Sequence, residues 1–281
     1  MFADPQFAIC TVQWLLAMAL LLFCAEDFRL IRGTLGQSHC SWHVLGRELS
    51  VQSPRSFALL AWCFEQPRLE LILLVRAALA SLLLIDGIFS HASDAGLIVA
   101  GLWFTQILLM IRWRGALNGG SDFMVLSLLN ALMLGQAYVL LATVWGKQDV
   151  SLGFQISLWF ITIQSLTSYF VSGAVKLRDP AWRDGRALTH FLNQAVFGPL
   201  PASSWFRRPG FAAVISWSFV AWECAMPLLL LGPRLALIAC GLALVFHLLV
   251  YWYFGLNRFV WAWLCSFPAL IYSAHTLSLS R

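Results

Sequence analysis

Long stretches free of Lys, Arg, Asp and Glu recur along the chain, at 5–25, 95–111, 123–146, 150–175, 235–257 and 259–280. Their lengths are 21, 17, 24, 26, 23 and 22 residues, close to the ~20 mostly apolar residues with which a helix crosses a bilayer core. Two further apolar segments are interrupted: 70–89 holds Arg76 and Asp86, and 210–232 holds Glu223. Only helices and closed barrels satisfy the backbone in lipid, and continuous apolar runs are the helical sign. The pattern predicts an all-α, polytopic integral membrane helix bundle with about eight transmembrane helices and two long interfacial connections.

The first connection, 27–69, contains Gly33, Gly36, His39, His43 and the short apolar stretch FALLAWCF at 57–64. That stretch is too short to span and is expected at the membrane interface, with Trp62 and Phe64. In the second, 176–209, Pro180 and Trp182 predict a turn into a short amphipathic helix over 181–197. Its Trp182, Leu188, Leu192 and Val196 are expected to dip into lipid, and Pro199 and Pro201 to stop it.

Composition excludes the other broad classes. The chain is 60% hydrophobic and 11% charged, whereas a soluble domain is ~25% charged. Disorder needs the opposite balance. The net charge of +5 comes from scattered basic residues, so no nucleic-acid partner is expected. Residues 1–281 read as one domain with membrane lipids around it. The start, MFADPQF, has an acid and no base before the first apolar run, which predicts a permanent span instead of a cleaved leader. Seven cysteines (Cys10, Cys24, Cys40, Cys63, Cys224, Cys240, Cys265) show no metal-ligand spacing. They are expected to act as small buried hydrophobes, with no metal site.

Loop charge predicts orientation. Fourteen basic residues fall in alternate loops, Arg112, Arg114 and Arg258 among them, against Lys147, Arg234 and Arg281 on the opposite side. The positive-inside rule then puts both termini outside the cytoplasm, and the expected setting is a bacterial inner membrane.

Ionisable groups inside spans are the functional candidates, because each is costly in lipid unless paired or facing a cavity. Arg76 and Asp86 are ten residues apart, or ~15 Å along a helix, too far to pair with each other. Asp86, near a helix end, reads as a satisfied interfacial carboxylate. Glu223 precedes Pro227 by four residues, so its carbonyl loses a helical partner and the helix should kink there. Counting down one helix and back up the next, through the Gly232–Pro233 turn, brings His247 to the depth of Glu223. A Glu223–His247 contact facing the interior is expected.

The most informative segment is QSLTSYFVSGAVKLRDPAWRDG. Ser165, Tyr169, Ser172 and Lys176 are spaced 4, 3 and 4 residues apart and share a helix face. Lys176 is one of only two lysines among 18 basic residues. A helix-end lysine can simply snorkel; unlike arginine, it can also lose its proton when buried and act as a base.

YFVSGAVKL followed by PAW and Gly185, with the later WECAMPLLL and VFHLLVYWYFGLNRFVWAW, resembles the horizontally transferred transmembrane (HTTM) superfamily, and within it the vitamin K-dependent γ-carboxylases. The resemblance is strongest from 165 to 268. It implies that Lys176 is the base that deprotonates a reduced quinone, with Glu223 and His247 as the other catalytic candidates. It also implies substrate- or cofactor-binding roles for Tyr169, Ser172, Trp182 and Asn257. The carboxylases' large lumenal domain has no counterpart within residues 1–281, so a short form of the carboxylase-like bundle is expected. In LNGGSDF (117–123) the chain carries Asn118 and Asp122 where the carboxylases have a histidine. Two readings follow: a γ-carboxylase-like enzyme modifying a peptide or lipophile, or a non-catalytic membrane subunit or maturation factor for a secreted peptide or larger complex.

Overall fold

The computed structural model describes residues 2–33, 40–89, 95–116, 119–146 and 150–279. Gly36, His39, Asn118, Lys147 and Arg281 therefore lie outside the described residues. Helix α1 (Pro5–Arg32) opens where the Asp4 carboxylate accepts the Gln6 N–H at 3.1 Å and Pro5 fills a first-turn position that needs no donor. Its most apolar window is 61% buried, against 22% for the most exposed spanning helix, so α1 stands at the centre of the bundle.

Among the described residues, three short helices follow, α2 (Trp42–Leu45), α3 (Arg47–Gln52) and α4 (Pro54–Phe64). Phe64 of α4 is buried while Leu59 and Trp62 face outward. The chain then runs through α5 (Arg68–Phe89), α6 (Gly96–Trp113), α7 (Gly119–Val144) and α8 (Ser151–Arg178). After the short α9 (Pro180–Arg183) and α10 (Arg186–Asn193) come α11 (Pro209–Ala225), continued as a 3-10 turn at Met226–Leu231, and α12 (Pro233–Phe254). Among the described residues, seven helices are long and apolar enough to cross a membrane. Their outer faces expose large apolar side chains such as Leu74, Ile85, Leu237 and Val245. The protein is an integral membrane protein of the all-α, polytopic kind.

The eighth expected span is divided. Within it, residues 259–264 belong to α13 (Asn257–Leu264) and residues 267–279 are α14 (Phe267–Leu279). Pro268 cannot donate to the preceding turn, and the Ser266 hydroxyl takes the Trp263 carbonyl at 2.7 Å, so the first helix stops and a second begins. From Phe267 to Ala274 every residue of α14 is buried. That part of the helix is enclosed by protein on all sides, and α14 packs on α1, α8 and α12. Its Ser273 bonds Thr162 of α8 at 2.8 Å.

The connection after α8 also differs from expectation. The predicted 181–197 helix is broken at Gly185, where φ is +81°; a side chain there would strike the backbone of Ala212 and Ala213. Leu188 and Leu192 are buried instead of lipid-facing, because α10 lays its apolar face on α11. Val196 is exposed, and Trp182 turns back toward the end of α8.

Candidate functional site

Lys176 is in the last turn of α8, and Glu223 is fourteen residues into the rod that α11 begins. The two helices meet at Gly173. A Cβ there would stand 2.8 Å from the Cys224 nitrogen and 2.9 Å from the Glu223 Cβ, so any larger residue would push α11 away. This close approach delivers the carboxylate to the lysine. Nζ of Lys176 donates to both Glu223 oxygens, at 2.5 and 2.6 Å, and to Ser172 Oγ at 2.8 Å. Ser172 in turn donates to Glu223 Oε1 at 3.2 Å. The side chains of Lys176 and Glu223 are 17% and 3% exposed, so water screens the ion pair little. The Trp182 ring centre is 5.3 Å from Nζ and covers the ammonium with a π-face.

On the same face of α8, one turn before Ser172 and two before Lys176, Tyr169 bonds His247 of α12, with its hydroxyl 2.7 Å from Nε2. His247 stacks on Trp263 at 5.4 Å and meets Phe259 edge-on at 5.0 Å. Tyr169 touches Trp222 and Trp263 at 5.3 and 4.5 Å. Around this dyad four buried polar atoms have no hydrogen-bond partner: Ser165 Oγ, His247 Nδ1 and the indole nitrogens of Trp222 and Trp263. Buried polar groups are nearly always satisfied, so four orphans about one tyrosine set this place apart from the rest of the core.

Glu223 and His247 are both buried and face the interior, but the expected direct bond between them is not formed. Each takes a partner from α8 instead, Lys176 for the glutamate and Tyr169 for the histidine. The Glu223 carbonyl, expected to be left open by Pro227, accepts the Met226 N–H because the helix tightens into a 3-10 turn.

Asn257 is not part of this cluster. At the start of α13 its amide bonds Glu26, and its side-chain oxygen caps the Arg258 N–H at 2.8 Å. Arg258 itself reaches Glu26 at 2.7 Å and Asp27 at 2.6 Å. It is 7% exposed and Asp27 is 2% exposed, so the residue counted as a loop charge belongs to a second buried polar centre joining α1 and α13. The signal was present: Arg258 is the single charge between two long apolar runs, too isolated for an ordinary loop. Arg76, also buried, bonds Thr105 and Gln106 of α6 at 3.1 and 2.5 Å. Arg112 likewise is buried and not in a loop, although the basic asymmetry survives without these two arginines.

No group of three His, Cys, Asp or Glu side chains able to hold a metal occurs among the described residues. Fold and burial define the class as a polytopic membrane protein in which a buried carboxylate pairs with a part-buried amine. Compared with family models, curated proteins and solved structures, the chain finds no match in any of the three.

Proposed function

We propose that this chain is an HTTM-type, γ-carboxylase-like membrane enzyme that takes a proton from a lipophilic or peptide substrate within the bilayer. The observation that carries the reading is the Lys176–Glu223–Ser172 cluster, in which a buried carboxylate holds a part-buried amine and Ser172 stands one turn from Tyr169 of the Tyr169–His247 dyad. The amine and carboxylate work as a unit. Glu223, in place of the Lys176 amine that the resemblance implies as the base, accepts the proton of an acidic hydroxyl, because the amine is held as an ammonium between the carboxylate oxygens and Ser172. That ammonium, covered by Trp182, holds the negative charge left on the substrate oxygen. In a site of low dielectric both effects exceed their strength in water.

A reduced quinone, the cosubstrate implied by the resemblance, would supply the acidic hydroxyl and the reducing electrons. The polar groups present suit the oxygens of such a ring: Ser165 and the indoles of Trp222 and Trp263 are buried donors awaiting an acceptor, although the faces of Tyr169 and Trp263 already pack on each other and on His247. The site would sit in a bacterial inner membrane with both termini extracytoplasmic, α13 and α14 together completing an eighth crossing.

A second reading, a non-catalytic subunit or peptide-maturation factor, is favoured by Gly173, whose tight packing would make the ion pair a clasp between α8 and α11. Mass spectrometry of the protein extracted from its native membrane separates the two. The enzyme reading expects a co-purified quinone that is lost in Lys176→Met; the clasp reading expects none in either.

A further inference from the structure

The end of α1, α2, α4 and the start of α5 line a cavity of about 300 Å³ against the last turn of α6. Arg112 lines it. Only 3% of this residue is exposed, and its guanidinium lies 4.6 Å from the Trp113 ring centre. Nη2 donates to the Cys40 carbonyl at 2.7 Å, while Nε and Nη1 are buried without an acceptor.

An arginine withdrawn from water without an acid partner is costly, because the desolvation of the cation is not offset. The neighbouring acids are already engaged. Glu65, on the cavity wall, is bonded to Arg68 at 2.6 Å, and Asp27 is held by Arg258 at 2.6 Å. The remaining walls combine aromatic rings, Trp42 and Phe64, with the imidazole of His43 at the rim. A guanidinium with spare donors, an imidazole and an apolar floor suit an oxyanion attached to something less polar.

The surroundings fit such a ligand. Leu59 and Trp62 of α4 are 67% and 59% exposed, as expected for a helix lying on acyl chains. Arg29, Arg47 and Arg55 come from the same stretch of chain and would attract anions to this face, while Arg32 and Arg68 are paired with Glu70 and Glu65.

We propose that this cavity is a phosphate-binding site, in which Arg112 takes the phosphate of a phosphoester, either an anionic lipid headgroup or a free phosphate. The lysine site is not involved, so the assignment stands apart from the catalytic reading.

The test uses the full chain, purified in neutral detergent, with three probes: phosphatidylglycerol, phosphate-free diacylglycerol and inorganic phosphate. Binding is read by native mass spectrometry and by thermal shift. Phosphatidylglycerol should be retained over diacylglycerol, and Arg112→Gln should weaken that retention about tenfold, the worth of a hydrogen bond to a charged group. A thermal shift with inorganic phosphate that Arg112→Gln abolishes, without lipid preference, would support the same site with a free phosphate as its source. Ala61→Trp fills the cavity without touching a charge and should also abolish binding, which keeps the test decisive if Arg112→Gln does not fold. Equal retention of the two lipids with no phosphate shift, or full binding in a folded Arg112→Gln or Ala61→Trp protein, would overturn the assignment.

Discussion

Lys176 and Glu223, on different helices and 47 residues apart in sequence, are joined by two bonds of 2.5 and 2.6 Å through which one amine grips both carboxylate oxygens. The contact exists because Gly173 carries no side chain where α8 meets α11. Packing and chemistry therefore meet at one crossing, and the experiments below are chosen to separate them.

Removing one partner leaves a buried charge unpaired, whereas removing both does not. Lys176→Met and Glu223→Gln should each lower stability by about 3–5 kcal/mol, and the double variant should recover most of it. Melting in detergent checks this. Activity should behave otherwise, with each single variant reduced by about 10²–10⁴-fold and the double variant no better. A double variant that regained both would reduce the pair to a clasp.

Gly173→Val places atoms where Cys224 and Glu223 already stand. It should cost about 1–3 kcal/mol through overpacking, seen as a lower melting temperature, and loosen the ion pair without removing either of its members. A melting temperature equal to wild type would show that α8 and α11 are free to separate.

The second polar centre makes its own prediction. In Arg258→Gln, Glu26 and Asp27 lose their shared partner, and stability should fall by about 3–5 kcal/mol. Adding Glu26→Gln and Asp27→Asn should restore much of the loss on the same melting assay. No loss in the single variant would mean that water enters this centre.

Spans and the polar face of α8 were legible because they depend on local spacing: apolar runs set helix length, and the steps from Ser165 to Lys176 set a common face. Burial of Glu223 and His247 was legible from depth alone. Their partners were not, since counting along the α11–α12 hairpin fixes height but not which third helix comes closest. Gly173 decided that, and a single glycine in an apolar run carries no sign of the neighbour it admits. The α13–α14 break and the burial of Leu188 and Leu192 were missed for a related reason. Apolar residues that face protein and apolar residues that face lipid look alike in sequence.

Topology gives a further check. If α13 and α14 together cross the membrane, reporters active only in the cytoplasm should be silent at both termini. Activity at one terminus alone would mean that the pair enters and leaves on the same side.

The central claim, a buried Lys176–Glu223 unit that draws a proton from a lipophilic quinol, is tested most directly by oxygen-dependent consumption of a reduced naphthoquinone by the purified protein. The account predicts turnover by the wild type and its loss, by about 10²-fold or more, in Lys176→Met and Glu223→Gln. Consumption by the wild type no faster than by either folded variant would contradict it.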